Sequence, residues 1–232
     1  MALYAIGDLH LCLGAPKPMD VFGGAWVGYM DKLKEGLSII KEEDTTVLLG
    51  DLSWALDLQQ AKADFAFINA IPGKKIILKG NHDYWWSTAA KFQKFCAENG
   101  FENMLLLNNN CYEYEDIAIC GTRGWFFEEE RSGQHDEKVF KRELMRLEAS
   151  LKAAGEKRKL VFLHYPPRYK GYTCQEILDL LAKYEVRQCY YGHLHGPSHK
   201  LCMEGQWDGV DFRLAAADYL DFKPILVCGE GR

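Results

Sequence analysis

Short runs of apolar and β-branched residues alternate, from the start of the chain, with longer stretches whose apolar positions recur every three or four residues. Residues 2–6 read as a strand. A loop with Gly14, Pro16 and Pro18 follows, then a helix over about residues 25–40. Residues 45–49 form a buried strand and 54–70 a helix. The Pro72-Gly73 turn leads to a third strand at 75–78, and a helix over 87–98 stops at Asn99-Gly100. The texture then changes. Residues 104–107, 111–114 and 117–120 read as short strands joined by tight polar turns at Asn108-Asn109-Asn110 and Glu115-Asp116. A charged helix over 137–153 carries Val139, Phe140, Leu144, Leu147 and Leu151 on one face. Beyond it come a strand at 159–163, a helix at 174–183, a strand at 188–191, and strands near 211–214 and 224–227. The pattern predicts a single α/β domain over residues 1–232, with strand–strand pairing prominent in its second half.

Composition narrows the function classes. The chain has 232 residues, of which 48% are hydrophobic and 26% charged, the balance of a folded domain able to bury a sizeable core. A net charge of −5 gives no global sign of nucleic acid or an anionic membrane as the partner and argues mildly against the former, while leaving room for a local basic patch. The beginning of the chain shows no basic, apolar leader, and apolar runs such as 76–78, 104–107 and 160–163 are too short to span a bilayer. Eight cysteines stand singly with no C-x-x-C pair, which reads as reduced, mostly buried thiols in a cytoplasmic protein.

Candidate chemistry concentrates where strands end. Five segments place metal-capable side chains directly after a strand: Gly7-Asp8-Leu9-His10, Gly50-Asp51-Leu52, Gly80-Asn81-His82-Asp83, Leu163-His164 and Gly192-His193-Leu194-His195. Of the seven histidines, only His135 and His199 lie outside these junctions. The carboxyl ends of strands in an open α/β sheet converge on one crevice, so ligands distant in sequence would meet there. Imidazole mixed with carboxylate and amide oxygen suits manganese, iron or zinc better than an all-oxygen calcium or magnesium cage or a thiolate zinc site. The donors are too many for one tetrahedral ion, whereas two ions sharing a carboxylate would use them.

Taken in order, these five blocks resemble the calcineurin-like metallophosphoesterase superfamily, and they extend from Asp8 to His195. The resemblance implies two facing mixed β-sheets flanked by helices, a four-layer sandwich. It implies that one metal is held by Asp8, His10, Asp51 and His195. A second would be held by Asp51, Asn81, His164 and His193, with Asp51 bridging. It further implies phosphate-ester hydrolysis by a hydroxide between the two ions. His82 would act as the catalytic residue beside the scissile phosphate, donating to the leaving oxygen or to the equatorial oxygens.

Other residues divide between chemistry and packing. Arg123, after an apolar strand, is a candidate phosphate grip, with an ion pair as the alternative. Tyr84, Trp85, Trp86 and Trp54 are candidate walls for a substrate, with core packing favoured for at least one of Trp85 and Trp86. His199 reads as exposed or as a partner behind the ligands, and Glu128-Glu129-Glu130 as a solvated loop. The protein Ser/Thr phosphatases of the superfamily follow the bridging Asp with a stretch ending in Asp-Arg-Gly, where this chain has Trp54, Ala55 and Leu56. The sequence is nearer the compact bacterial-type branch, so a small-molecule or nucleotide ester is the expected substrate. A protein phosphatase or a nuclease on the same scaffold is the alternative, and a non-catalytic interaction protein is disfavoured because every ligand position is filled.

Overall fold

The computed structural model describes residues 1–125 and 134–229, so Glu128-Glu129-Glu130 lies outside the described residues. The chain divides into two compact units, one of Met1–Leu106 with the residues from Ala215 onward, the other of Leu107–Leu214.

The first unit is built on a five-stranded mixed sheet. Its strands are β1 (Leu3–Ile6), β2 (Thr45–Leu48), β3 (Lys74–Ile77), β4 (Met104–Leu106) and β13 (Ile225–Cys228), ordered β13-β1-β2-β3-β4. β1 to β4 run parallel, and β13 closes the edge antiparallel to β1. Helices α1 (Tyr29–Leu37), α2 (Lys62–Ala70) and α3 (Ala89–Asn99) connect the parallel strands. One buried cluster joins Tyr4, Ile6, Leu48 and Ile77 from the strands to Leu33, Phe65, Ile68, Phe92 and Phe95 from the helices. α3 starts at Thr88, whose hydroxyl accepts the Lys91 N–H at 3.2 Å, and stops at left-handed Gly100. Lys75 is wholly buried, its Nζ donating to the carbonyls of Ile71 and of Gly73 (2.9 Å), and burial lowers its pKa to about 8.

Two helices are shorter than their apolar patterns suggest. α1 begins four residues later than predicted, after 3-10 turns at Met19–Phe22 and Gly24–Trp26, because Gly23, Gly24 and Gly28 hold positive φ. α2 begins at Lys62 instead of residue 54. The intervening backbone is engaged elsewhere: Trp54 N donates to Leu11 O, Ala55 N to Ser53 Oγ, and Leu56 N to Gln60 Oε1.

The second unit has a six-stranded mixed sheet, ordered β11-β12-β10-β7-β6-β5. These are β5 (Cys111–Tyr114), β6 (Ile117–Thr122), β7 (Arg158–Leu163), β10 (Gln188–Tyr191), β11 (Gly205–Trp207) and β12 (Val210–Leu214). Its four central strands are parallel and its two edge strands antiparallel. A separate hairpin joins β8 (Arg168–Tyr169) to β9 (Tyr172–Thr173). The helices are α4 (Gln134–Ala153) and α5 (Gln175–Lys183). The predicted run of three short strands is divided: β4 belongs to the first sheet and β5–β6 to the second, so the Asn108-Asn109-Asn110 segment is not a hairpin turn.

α4 differs from a simple apolar stripe. Leu147 and Leu151 are buried, but so are Glu143 and Ser150 one helical step away. Ser150 Oγ accepts the Gly121 N–H at 3.0 Å and donates to Asn110 O, while Glu143 accepts from Thr122 Oγ1 at 2.7 Å. The helix thus satisfies polar groups at the end of β6 as well as burying apolar ones.

The α/β class and the two mixed sheets with flanking helices agree with expectation. All eight cysteines are free, with Cys96, Cys120, Cys174 and Cys189 buried. Among the described residues no helix is long and apolar enough to cross a membrane.

Candidate functional site

In the first unit the register brings three predicted segments to one sheet edge. Ile6 pairs with Leu48 and Leu48 with Ile77, so the chains leaving β1, β2 and β3 emerge side by side. They remain joined beyond the strands. Asp8 N donates to Gly50 O (2.8 Å), His10 N to Asp51 O (2.9 Å) and Leu11 N to Leu52 O (2.9 Å).

That pairing comes with unusual backbone at the ligand candidates. Asp8, His10 and Asp51 have φ of 60°, 45° and 50°, left-handed values that non-glycine residues adopt at a cost. The result is convergence of side chains. Asp8 offers a ligand atom within 4.8 Å of one on His10 and of one on Asp51. His10 Nε2 lies 3.9 Å from Asp51 Oδ2, and all three residues are buried.

Two glycines permit the close approach of the second and third loops. A Cβ on Gly50, whose φ is 89°, would lie 2.7 Å from Gly80 Cα. A Cβ on Gly80 would lie 2.8 Å from Asp51 Cγ, and nearer still to its Oδ1 and backbone N. Only glycine leaves room for the Asp51 carboxylate where it stands.

The Asp83 carboxylate organises these loops, a role that the sequence reading did not assign. It accepts hydrogen bonds from the N–H groups of Asp51 (2.8 Å), Leu52 (2.8 Å) and Gly80 (2.7 Å), and from Trp85 Nε1 (2.8 Å). Burial pushes its carboxyl upward, while these donors pull the other way. Asp64 does similar work from α2, accepting Leu13 N (2.7 Å) and Ser53 Oγ (2.5 Å), and burial again raises its pKa. Its signal was available: Ala61, Asp64, Phe65 and Ile68 occupy one helical stripe, and the only carboxylate in an apolar stripe needs buried partners.

His82 sits at the rim of the same loops. Its N–H donates to Asp51 Oδ1 at 2.7 Å, its Nδ1 is 3.2 Å from the exposed Tyr84 hydroxyl, and its ring lies 5.9 Å from that of His10. Asn81 precedes it on the loop. Trp54 is buried, stacks on His10 (4.9 Å, 23°) and lies 4.7 Å from the His82 ring. Lys17 Nζ stands 3.2 Å from the centre of its ring. Trp85 is core, edge-on to Phe65, and Trp86 packs partly buried beside it.

In the second unit the parallel pairing of β7 with β10 places His164 beside the Gly192 loop. Gly192 N donates to His164 O at 3.1 Å, and the rings of His164 and His193 lie 5.2 Å apart. His193 also has positive φ, 73°, and its ring is 4.4 Å from that of Tyr165. His195 stands at the N-terminus of a 3-10 helix, Gly196–Leu201, in which His199 is half-buried. Arg123 lies behind His164: its carbonyl accepts the N–H groups of His164 (3.0 Å) and Tyr165 (2.9 Å). Its guanidinium is 3.8 Å from buried Glu143 and 5.1 Å from the Trp125 ring.

The donors fit transition-metal ions. Carboxylate and imidazole atoms converge in the first unit on loops with positive φ at Asp8, His10 and Asp51 and glycine clearance at Gly50 and Gly80. Within the second unit, by itself, the imidazoles of His164 and His193 are neighbours.

A family model described as calcineurin-like phosphoesterase matches residues 1–197. Two solved structures share the fold at low identity. A protein of unknown function from Aquifex aeolicus, AQ665, is 17% identical, with a TM-score of 0.53 over 97% of this chain and 95% of its own. TT1561 of Thermus thermophilus is 14% identical, with a TM-score of 0.55 over 97% of this chain and 96% of its own. None of the curated proteins matches the chain.

Proposed function

The chain belongs to the calcineurin-like phosphoesterase family, and from that premise we propose that it hydrolyses a small-molecule or nucleotide phosphate ester with two transition-metal ions, manganese, iron or zinc. The convergence of Asp8, His10 and Asp51 on strained, glycine-cleared loops carries the proposal. In this reading Asp8, His10, Asp51 and His195 hold one ion. Asp51, Asn81, His164 and His193 hold the other, with Asp51 shared. When bound, such a pair of ions acidifies a water nucleophile and offsets charge on the phosphoryl group.

The chain's own residues supply the rest. His82 is the proton donor to the leaving oxygen. The Tyr84 hydroxyl lies 3.2 Å from its Nδ1, and with that nitrogen so engaged Nε2 is the atom that would donate from the protonated ring. Asp83 keeps the second and third loops in register, so that the ligands are positioned before any substrate arrives. Arg123 positions His164 through its carbonyl and is the candidate phosphate contact. Its guanidinium is at present paired with buried Glu143 at 3.8 Å, the ion pair that was the alternative reading.

The preference for small substrates rests on the stretch after Asp51. Trp54 is buried against His10 there, so no arginine from that stretch reaches a phosphate. The deciding experiment loads purified protein with each metal and compares kcat/KM for nucleotides, aryl monoesters, diesters and a phosphorylated protein. Small esters should win. A phosphoprotein preferred tenfold, about 1.4 kcal/mol of transition-state preference, would install the protein-phosphatase alternative. Elemental analysis should find two ions per chain, with both lost together in Asp51→Asn and chiefly one lost in Asp8→Asn.

A further inference from the structure

A second cluster of polar side chains stands apart from the ligand loops yet grows directly out of them. The chain leaving His164 becomes the β8–β9 hairpin, and the chain leaving His195 turns at once into the 3-10 helix Gly196–Leu201. The Tyr169 hydroxyl and Ser198 Oγ, 2.8 Å apart, tie hairpin to helix. Between them and β11 lies a cavity of about 280 Å³, lined by Arg168, Lys170 and Lys200 and by the apolar Leu201, Met203 and Trp207.

The charges in this cavity lack counter-ions. Among the described residues, none of Arg168, Lys170 and Lys200 takes part in an ion pair, and no carboxylate lines the cavity. Glu204 is nearby in sequence, but its carboxylate accepts the Leu214 N–H at 2.5 Å. Three uncompensated cations in one hollow of a chain with net charge −5 make a local positive field that an anion would relieve. Aromatic surface lies alongside. The Arg168 guanidinium is 4.9 Å from the ring centre of half-exposed Trp207, and Lys170 Nζ is 5.2 Å from that of Tyr169. Cations beside an exposed indole suit a ligand that is both flat and anionic, the ring stacking and the phosphate taken by guanidinium and ammonium groups. The volume falls just below the ~300–1,000 Å³ of pockets that enclose a whole ligand, so the cavity takes one end of a larger molecule.

We infer that this cavity binds the end of the substrate remote from the hydrolysed bond, and that this end is a nucleoside phosphate. The inference rests on the phosphoesterase reading above and deepens it: the substrate carries a nucleobase and at least one phosphate that is not cleaved. The base stacks on Trp207, and the spare phosphate meets Arg168, Lys170 and Lys200.

The test titrates adenosine 5′-monophosphate, adenosine and inorganic phosphate into the full chain by calorimetry, in chelator so that no ester is consumed. It uses wild type, the double variant Arg168→Ala/Lys200→Ala, and Trp207→Leu. All three side chains are substantially exposed, and an unchanged melting temperature confirms an intact fold. One equivalent of the monophosphate should bind wild type at least tenfold tighter than adenosine or phosphate, and each variant should lose at least tenfold. In metal-loaded protein the double variant should keep kcat/KM for p-nitrophenyl phosphate within twofold while losing at least tenfold on adenosine 3′,5′-bisphosphate, whose 3′-ester is cleaved and whose 5′-phosphate stays on the nucleoside. Absent binding in wild type, unchanged binding in the variants, or an equal loss on both esters overturns the inference. So does a single-stranded oligonucleotide that binds a hundredfold tighter than the monophosphate through the same residues. Should wild type turn over no ester while the monophosphate still binds and the variants lose it, the hydrolase reading fails and the nucleotide site alone stands.

Discussion

Gly80→Ala should disable the ligand loops without unfolding the chain. The added Cβ would lie 2.8 Å from Asp51 Cγ, about 0.7 Å inside the ~3.5 Å at which two carbons rest in contact. Asp51 cannot yield easily. Its N–H is held by Asp83 at 2.8 Å, and its Oδ1 accepts the His82 N–H at 2.7 Å. The Cβ would crowd Asp51 Oδ1 and the Asp51 backbone N more closely still, so relief has to come from movement of both the carboxylate and the backbone at Asp51 by about an ångström, or from separation of the two loops. Overpacking of this kind costs about 1–3 kcal/mol, which lowers the melting temperature of a chain this size by roughly 2–4 °C per kcal/mol. The functional loss should be larger, with metal affinity down about 10–100-fold and turnover down about 10²-fold where a reacting group shifts by an ångström. Metal titration of chelator-stripped protein, p-nitrophenyl phosphate turnover and a melting curve read all three. Gly155→Ala is the control. Its φ is 54° with nothing within 4 Å of the added Cβ, so it should cost stability by left-handed strain, about 1–2 kcal/mol, and leave metals and rate alone. If Gly80→Ala binds both ions with wild-type affinity and turns over within twofold, Asp51 is not the shared ligand.

Three further outcomes are expected. His82→Ala should keep both ions and lose about 10²–10⁴ in kcat. Tyr84→Phe should lose less and shift the pH–rate profile, and metal loss in a folded His82→Ala would make His82 a ligand instead. Asp83→Asn turns an acceptor of four close hydrogen bonds into a group whose NH₂ opposes N–H donors. It should lower stability by about 2–3 kcal/mol and weaken metal binding; chemical denaturation with no change in midpoint would remove Asp83 from its organising role. Lys75, with its pKa lowered from the usual 10.5 to about 8, is charged in the unfolded chain but largely neutral in the folded one between those values. The unfolded state then holds more protons, so stability rises with pH across that window, by up to about 3 kcal/mol. Urea denaturation from pH 7 to 10.5 should show wild type gaining on Lys75→Met by that order, and parallel profiles would refute the assignment.

Most of the longer elements and the candidate metal-binding segments were readable from the sequence because both are local, whereas the β8–β9 hairpin and β11 were not read. Strand-ending glycines, their neighbouring Asp and His residues and the 3.6-residue stripes of α1, α3 and α5 lie within a few positions of one another. Helix starts were less readable. Trp54 fits a helical stripe, yet its N–H is taken by Leu11 O, 43 residues away in the chain. Pairing across the sheets was also decided at long range, since β4 and β5 are neighbouring short strands but join different sheets, β4 parallel to β3 and β5 antiparallel to β6. The supports of the site were least visible. Asp83 looks like the last letter of a motif, and Asp64 like a polar interruption of an apolar helix, until the N–H groups that converge on them are seen. The pocket at Arg168 and Trp207 unites residues 39 positions apart whose charges look solvated in isolation. Sequence determines which groups are available, because composition and period are local properties. Tertiary structure alone decides which buried carboxylates find donors and which cations go without a counter-ion, because those depend on distances between residues that the chain order does not contain.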